Sequence, residues 1–388
     1  MRETNRLSHS EGIEHWLRLI RTEGVGPVLF RRLLEHFGSF DRIFGASAAD
    51  LCHVEGIGHR TAERIARTRL QFDAEREIGL AEEHGVCILH WEDPSYPPAL
   101  KAIDDPPPVL YVKGTLQRSD SLALAVVGSR HCTHYGVEQA ERFSHLLASA
   151  GLTIVSGLAR GIDSAAHRGA LSARGRTIAV QGCGLAHCFP AENRKLFEMI
   201  SEQGAVLSEL PMGYEPLSEN FPGRNRIIAG LSMGVLVVEA APRSGALITA
   251  KAALAYNREV MAVPGRIDSP TSKGTHELLK QGARLADSVE EIMDALGVVG
   301  KSLRGHVSDH ARRCAEQMEM PLFDMSEMNL SDCEQSILRV LGKEPSHIEQ
   351  IIAAADLPAA QIHSAVITLQ LKGLVKQLPG SVFVRKGI

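Results

Sequence analysis

Leu122-Ala123-Leu124-Ala125-Val126-Val127-Gly128-Ser129-Arg130 is the stretch that decides the fold. Six consecutive apolar residues with no polar alternation fit a strand buried on both faces, and a glycine directly after them fits a turn where backbone comes close to something. Beyond it, Val137, Ala140, Phe143, Leu146, Leu147 and Ala150 recur at helical spacing. The unit therefore reads strand, Gly-Ser-Arg turn, amphipathic helix. In a parallel sheet such a turn lies at the carboxyl end of the strand, where ligands collect. Amides at the helix start attract anions and Arg130 adds a full positive charge, so phosphate is the expected ligand.

Outward from this unit, apolar strand candidates alternate with helical patterns: Leu152–Val155, Thr177–Val180, Ala205–Leu207, Val235–Val238 and Val260–Val263. That alternation predicts an α/β fold, a Rossmann-like, doubly wound parallel sheet. Glycine-rich polar groups follow several of the strands. They are Ser156-Gly157-Leu158-Ala159-Arg160-Gly161, Gly182-Cys183-Gly184 with Phe189-Pro190-Ala191-Glu192-Asn193-Arg194-Lys195, and Ala241-Pro242-Arg243-Ser244-Gly245-Ala246; Phe221-Pro222-Gly223-Arg224-Asn225-Arg226 precedes the strand at 235. Loops at successive strand ends converge on one crevice, so Arg130, Arg160, Lys195, Arg224 and Arg226 are expected to share a surface. Any one of these arginines alone reads as an ordinary surface charge. Their coincidence with glycine at successive strand ends carries the weight.

The flanks differ. Residues 1–72 form a helical domain with two similar segments, Glu23-Gly24-Val25-Gly26-Pro27 and Val54-Glu55-Gly56-Ile57-Gly58, each followed by a helical pattern. Both look like helix-hairpin-helix (SAM-like) elements, in which a G-x-G turn offers amides to a DNA phosphate; the same glycines also serve as helix caps in a plain bundle. Residues 73–299 hold the Rossmann-like domain, entered through Tyr96-Pro97-Pro98 and Pro106-Pro107-Pro108, prolines that suit turns and edge strands around Val109–Val112. Residues 300–328 have the mixed polarity of a linker, and residues 329–388 show three helices and a hairpin, the winged-helix pattern. Its third helix has few basic residues for reading a groove, so protein contact or packing is as good a role as DNA contact.

Composition narrows the function classes. The chain has 388 residues, 44% hydrophobic, with a formal net charge of −4, so any polyanion site is local rather than a global basic field. No apolar run approaches the roughly 20 residues of a membrane span, and the first residues lack a secretory apolar segment, so a cytoplasmic protein is expected. The seven cysteines form no C-x-x-C pair, so neither a disulfide framework nor a metal site is expected. The turn Gly128-Ser129-Arg130-His131-Cys132-Thr133 does not match the dinucleotide G-x-G-x-x-G, and neither a P-loop nor a G-x-S-x-G occurs. No catalytic residue and no cofactor are expected.

Long strings of this sequence resemble one family. They include YPPALKAIDDPPPVLYVKG (96–114), AVVGSR (125–130), IVSGLARGIDSAAHRGAL (154–171), GCGLAHCFPAENRKL (182–196), SELPMGYEPLSENFPGRNRIIAGLS (208–232) and VVEAAPRSGALITAKAALAYNREVMAVPG (237–265). In this order they are similar to the DNA-processing protein A (Smf) family. The resemblance implies a protein that is not an enzyme, binds and protects incoming single-stranded DNA, works as a homodimer and loads a RecA-type recombinase during natural transformation. It makes Arg130 and Lys195 phosphate-holding residues, and Arg224-Asn225-Arg226 matches the family too, as DNA contacts or equally as structural residues of the pocket; the strand-end loops add Gly128, Ser129, Ser156, Gly157, Arg160, Gly161 and Asn193 to the expected DNA site. Glycine and arginine loops that hold backbone phosphates without a base code suit a protein that accepts any sequence. With aromatic residues at 5%, extensive base stacking is not expected, and Tyr135, Phe189 and Phe221 read first as packing residues.

The alternative is a nucleotide-binding enzyme of the phosphoribohydrolase type on the same fold. Its P-G-G-x-G-T-x-x-E element corresponds here to Pro242-Arg243-Ser244-Gly245-Ala246-Leu247-Ile248-Thr249-Ala250-Lys251, which has one of the paired glycines and no glutamate. A pure protein scaffold acting through the winged helix is a third reading, and it would leave the loop arginines dispensable.

Overall fold

In the computed structural model the described residues are 12–297, 331–341, 345–355, 357–371, 374–378 and 382–385; the linker expected over 300–328 lies outside them. The chain divides into two compact units, Met1–His310 and Ala311–Ile388.

The first unit is built on a nine-stranded sheet of β1 (Val86–His90), β2 (Val109–Gly114), β3 (Ala123–Val127), β4 (Thr153–Ser156), β5 (Thr177–Val180), β6 (Ala205–Ser208), β7 (Gly234–Val237), β8 (Glu259–Ala262) and β9 (Arg284–Leu285). Their spatial order is β1-β2-β6-β5-β4-β3-β7-β8-β9. From β6 to β9 every neighbouring pair is parallel, whereas β2 runs antiparallel to both β1 and β6. The chain winds from β3 outward to β6, then returns to the other side of β3 with β7. The winding reverses between β3 and β7, and a crevice opens at their carboxyl ends.

The unbroken apolar reading of the central strands has a physical basis in two cores. Ala123, Ala125 and Val127 of β3 pack into one cluster with Val235 and Val237 of β7; Leu124 and Val126 pack into the other with Leu236 and Val238. Because successive side chains alternate faces and both faces are covered, the strand interiors are apolar, and the buried polar residues Thr153, Ser156, Thr177 and Ser208 stand at strand ends. Each buried valine or leucine contributes roughly 1.5–3 kcal/mol.

Two strands of this sheet, and in the second unit Ser346–His347, are not expected from the sequence. β1 forms the outer edge and shields β2, so the proline-flanked Val109–Val112 run is interior to the sheet rather than at its edge. The prolines precede the ladder and leave its donors intact, with Trp91 N donating to Pro108 O at 3.3 Å. β9 is two residues long, too short for any periodicity.

The N-terminal helices Ile13–Ile20, Pro27–Phe37 and His59–Thr68 carry the paired G-x-G turns. Gly24 and Gly56 both adopt φ +87°, a left-handed conformation that favours glycine, and Gly26 and Gly58 stand at the N-caps of the helices that follow. Glu23 N donates to Thr68 Oγ1 at 3.2 Å and ties one hairpin to the other. These helices share the sheet's first core: the Trp16 ring stacks on His90 at 4.6 Å and meets Trp91 edge-on at 5.3 Å. From the helix Ala74–Glu83, Glu77 Oε1 accepts from Met212 N at 2.6 Å.

The second unit has helices Asp332–Val340, Ile348–Ala354 and Ala359–Leu371 and a three-stranded sheet, β10 (Ser346–His347), β11 (Val375–Leu378) and β12 (Val382–Arg385), in the order β10-β12-β11. Ser331 and Glu334 close a capping box at the first helix. Ile337, Ile351, Ile362, Val366, Leu369 and Phe383 form its core, the winged-helix arrangement that the pattern predicts. Among the described residues, no helix of the chain is long and apolar enough to cross a membrane.

Candidate nucleic-acid interface

The crevice at the β3/β7 reversal is walled by three segments and encloses about 500 Å³. The first wall is the turn after β3. A Cβ on Gly128 would lie 2.6 Å from Ile162 Cγ1 and 2.9 Å from Glu239 O, so the backbone runs hard against the end of β7 and the start of the helix Ile162–Ser172. Ser129 N donates to Glu239 O at 2.7 Å, and Ser129 O accepts from Ile162 N at 3.2 Å. Gly161, at φ +76°, permits that approach, since any side chain there would strike the backbone of Ser129 and Arg130. With its neighbours pinned, Arg130 projects outward, exposed, its guanidinium carbon 4.9 Å from the centre of the Phe221 ring.

The second wall is the helix Asn220–Leu231. Phe221–Arg226, expected in a strand-end loop, folds as the start of this helix, because proline is tolerated in a first turn, where its missing N–H has no helical partner. Arg224, 4% exposed, donates to Gly157 O at 2.6 Å and to Val180 O, so it clamps the ends of β4 and β5. Burial pushes its guanidinium down to about 10. In the lining of the crevice, burial pushes the Asp163 carboxyl above the usual carboxylate range, while Arg224, the amide of Ala159 and Arg130 pull it back.

The third wall is the turn 241–244 and the start of the helix Gly245–Ala255. Ser244 Oγ accepts from Ala246 N at 3.3 Å, and Asn225 Nδ2 donates to Gly245 O at 3.1 Å, bracing the second wall against the third. Arg243 is exposed on the rim. The expected site omits it, although the same signal of glycine and arginine after a strand marks it. Phe221 was read as a packing residue; it is half-buried and carries the Arg130 guanidinium on its face.

The structure thus brings Gly128, Ser129, Arg130, Arg224 and Asn225 together in the crevice and disperses the rest. Ser156 is fully buried, its hydroxyl donating to Val126 O at 2.6 Å. Gly157 passes behind Arg224. Arg160 is exposed but forms a two-pronged ion pair with Glu192, both contacts at 2.6 Å. Asn193 Nδ2 donates to Leu158 O and Ser164 Oγ, each at 2.8 Å, a brace between loops. Lys195 is exposed in the first turn of the helix Arg194–Gln203 and does not line the crevice. Arg226 does not share the surface with the other arginines, contrary to the sequence expectation. Two residues from Arg224 on a helix, it points away from it and pairs with Asp105 at 3.3 Å and with Glu209.

The helix start also differs from expectation. The first turn of His134–Ser149 is filled from within: Glu239 Oε2 accepts from Thr133 N at 2.8 Å and Oε1 accepts from Thr133 Oγ1 at 2.6 Å, while Thr133 Oγ1 caps Gly136 N. At this helix start Glu239 takes the place of an anion, and Arg130 and Arg243 stand exposed on the rim of the crevice. Among the described residues no group of three or more His, Cys, Asp or Glu is placed to hold a metal.

Comparison with known proteins follows the same division of the chain. The profile of the family described as DNA recombination-mediator protein A matches residues 87–297, that of the DprA winged helix domain residues 322–381, and that of the SAM-like helix-hairpin-helix tandem residues 17–68. Protein Smf of Synechocystis is 36% identical over 391 residues, covering 96% of this chain and 98% of the relative. DNA processing protein DprA of Streptococcus pneumoniae is 45% identical over 201 residues, covering 52% of this chain and 71% of the relative. The X-ray structure of DNA processing protein A from Streptococcus pneumoniae superposes with a TM-score of 0.64 at 35% identity, covering 72% of this chain and 97% of that one.

Proposed function

The chain belongs to the DNA recombination-mediator protein A family, and from that premise we propose that it binds single-stranded DNA through the β3/β7 crevice and hands the strand to a RecA-type recombinase. One observation carries the reading: Arg130 stands exposed over Phe221 at the mouth of a crevice placed at the reversal of the sheet. A guanidinium there meets one backbone phosphate, and the ring beneath it offers a flat apolar face to an unpaired base. Arg243 on the opposite rim suits a second phosphate. A duplex keeps its bases stacked inside, so it gains nothing from the ring.

The proposed DNA residues are Arg130, Arg243 and Phe221, with Gly128, Ser129, Gly161, Arg224 and Asn225 shaping the walls. Lys195 and Arg160 flank this path on exposed strand-end segments and extend it. No catalytic role is assigned: the buried Asp163 is matched to Arg224, and Glu239 is committed to Thr133. Homodimerisation is part of the proposal, in keeping with exposed apolar residues at Ile248, Leu254, Ile267 and Leu285.

The test is fluorescence anisotropy with a labelled single-stranded oligonucleotide and the same sequence as duplex, followed by recombinase filament assembly on the coated strand. Preference for the single strand, weakening with salt, supports the reading. Equal affinity for duplex and single strand refutes it.

A further inference from the structure

A second cavity, of about 520 Å³, lies beside the segment that leads into β3, at the opposite end of that strand from the crevice. We propose that it binds a small organic anion: a flat apolar body with a single carboxylate or sulfonate group, held by Arg118. The proposal goes beyond the single-strand reading and does not depend on it.

Three parts of the fold build the cavity. Its floor is Ile178 of β5 and Leu231, the last residue of the helix Asn220–Leu231, both buried. One wall is the segment Pro94–Ala99. Tyr96 anchors it, its hydroxyl donating to Pro107 O at 2.8 Å and its N–H to Asp93 O at 3.0 Å. The ring of each proline in this wall fixes φ, so the surface is formed before a ligand arrives and little ordering entropy is lost on binding. The other wall is Leu116–Ser121. Arg176 pins it from behind by donating to Thr115 O at 2.8 Å and to both oxygens of Asp120, at 2.8 and 2.9 Å. A preformed, mainly apolar cavity of this volume is of the size that takes a small molecule.

Charge selects the ligand. Arg118 and Asp120 are the two charged side chains in the lining. The Asp120 carboxylate is saturated from within: beside Arg176, Thr153 Oγ1 donates to Oδ1 at 2.9 Å and Gln117 N donates to Oδ2 at 2.7 Å. It leaves a cation nothing to pair with. Arg118 is exposed, and among the described residues no acceptor engages its guanidinium. The cavity therefore offers one uncommitted positive charge beside an apolar surface, the complement of an amphipathic monoanion. A DNA strand needs a succession of cations, which this cavity lacks. About 15 Å of helix separates Leu231 from Phe221, so the anion site and the crevice are distinct.

The test is fluorescence titration of the full chain with 1-anilinonaphthalene-8-sulfonate, with N-phenyl-1-naphthylamine as the same ring system without the charge. Saturable binding of both probes is expected. Arg118→Ala should weaken the sulfonate about fivefold or more and leave the neutral probe within about twofold. Ser121→Trp places a ring in the exposed wall and should block both probes. Should that protein not fold, Arg118→Glu carries the test without added bulk, with a larger loss confined to the sulfonate. Arg130→Ala and a saturating single-stranded oligonucleotide should leave sulfonate binding unchanged. Equal sulfonate affinity in wild type and Arg118→Ala overturns the proposal, as does displacement of the probe by the oligonucleotide, which would put it in the crevice. Loss of oligonucleotide binding in Arg130→Ala with sulfonate binding intact supports both sites separately.

Discussion

Arg130→Ala is the most informative perturbation of this protein. In the free state the guanidinium rests 4.9 Å from the Phe221 ring centre, an exposed cation-π contact of about 0.5–1 kcal/mol that is given up if the side chain swings to a phosphate. A charge-assisted hydrogen bond to that phosphate returns about 1.5–3 kcal/mol. The net loss on truncation is then about 1–2 kcal/mol, or roughly 5- to 30-fold in Kd. A phosphate contact also carries a salt signature, and one fewer contact on a single strand lowers the slope of log K against log salt by about 0.7. Between 50 and 200 mM salt the gap between wild type and variant should therefore narrow by about 2.5-fold. Arg130→Lys keeps the charge and loses the planar stack, so it should restore the slope while recovering only part of the affinity. Anisotropy titrations at the two salt concentrations read both quantities. A Kd and slope in Arg130→Ala equal to wild type would refute the placement of DNA in this crevice.

Other expectations follow from the same geometry. Arg226→Ala should leave the salt slope unchanged yet destabilise the fold by about 1–3 kcal/mol in urea titration, because it removes the cation shared by Glu209 and Asp105, whose side chains are 21% and 32% exposed. Glu192→Gln should release Arg160 from its exposed pair and tighten single-strand binding by about threefold in low salt, with little change in melting temperature. His167 is fully buried, and since Thr177 Oγ1 donates to Ile154 O, Nδ1–H of His167 must donate to Thr177 Oγ1. Burial pushes the imidazole down to about 3 from 6.5, so its folded value is depressed; stability is full above pH 6.5 and falls by about 1.4 kcal/mol per unit below it. His167→Asn, whose amide can take the Nδ1 position, should flatten that slope between pH 6.5 and 4.5; an unchanged slope would place the acid sensitivity elsewhere.

The parallel strands were legible because each is buried on both faces, which writes an apolar run directly into the sequence. β1 was not, since only Val86 and Leu89 of its five residues are buried, with no period of two, and its neighbourhood is acidic. At the site, adjacency along the chain was a good guide where backbone turns converge, as at Gly128 and Gly161, and a poor one where a helix intervenes. Arg224 and Arg226 illustrate this: read as a loop they share a surface, but on a helix residues two apart diverge by about 200°. For Glu239 the partner was hidden rather than the residue. Only the fold brings the end of β7 to the start of the helix at 134, and a sequence separation of 106 residues hides that contact.

The core shared by the N-terminal helices and the sheet bears on how this architecture can be taken apart. Trp16 is wedged among Phe30, His90 and Trp91, and the cluster runs unbroken from Ile13 to Leu278. The hairpins are thus not beads on a string but part of the keel of the sheet. A fragment trimmed to the residues that match the recombination-mediator profile would leave β1 with a bare aromatic flank. Its losses in DNA binding would then report a damaged scaffold as readily as a missing contact. Exchanging the helical module in this chain would require recutting the face of β1 that receives it.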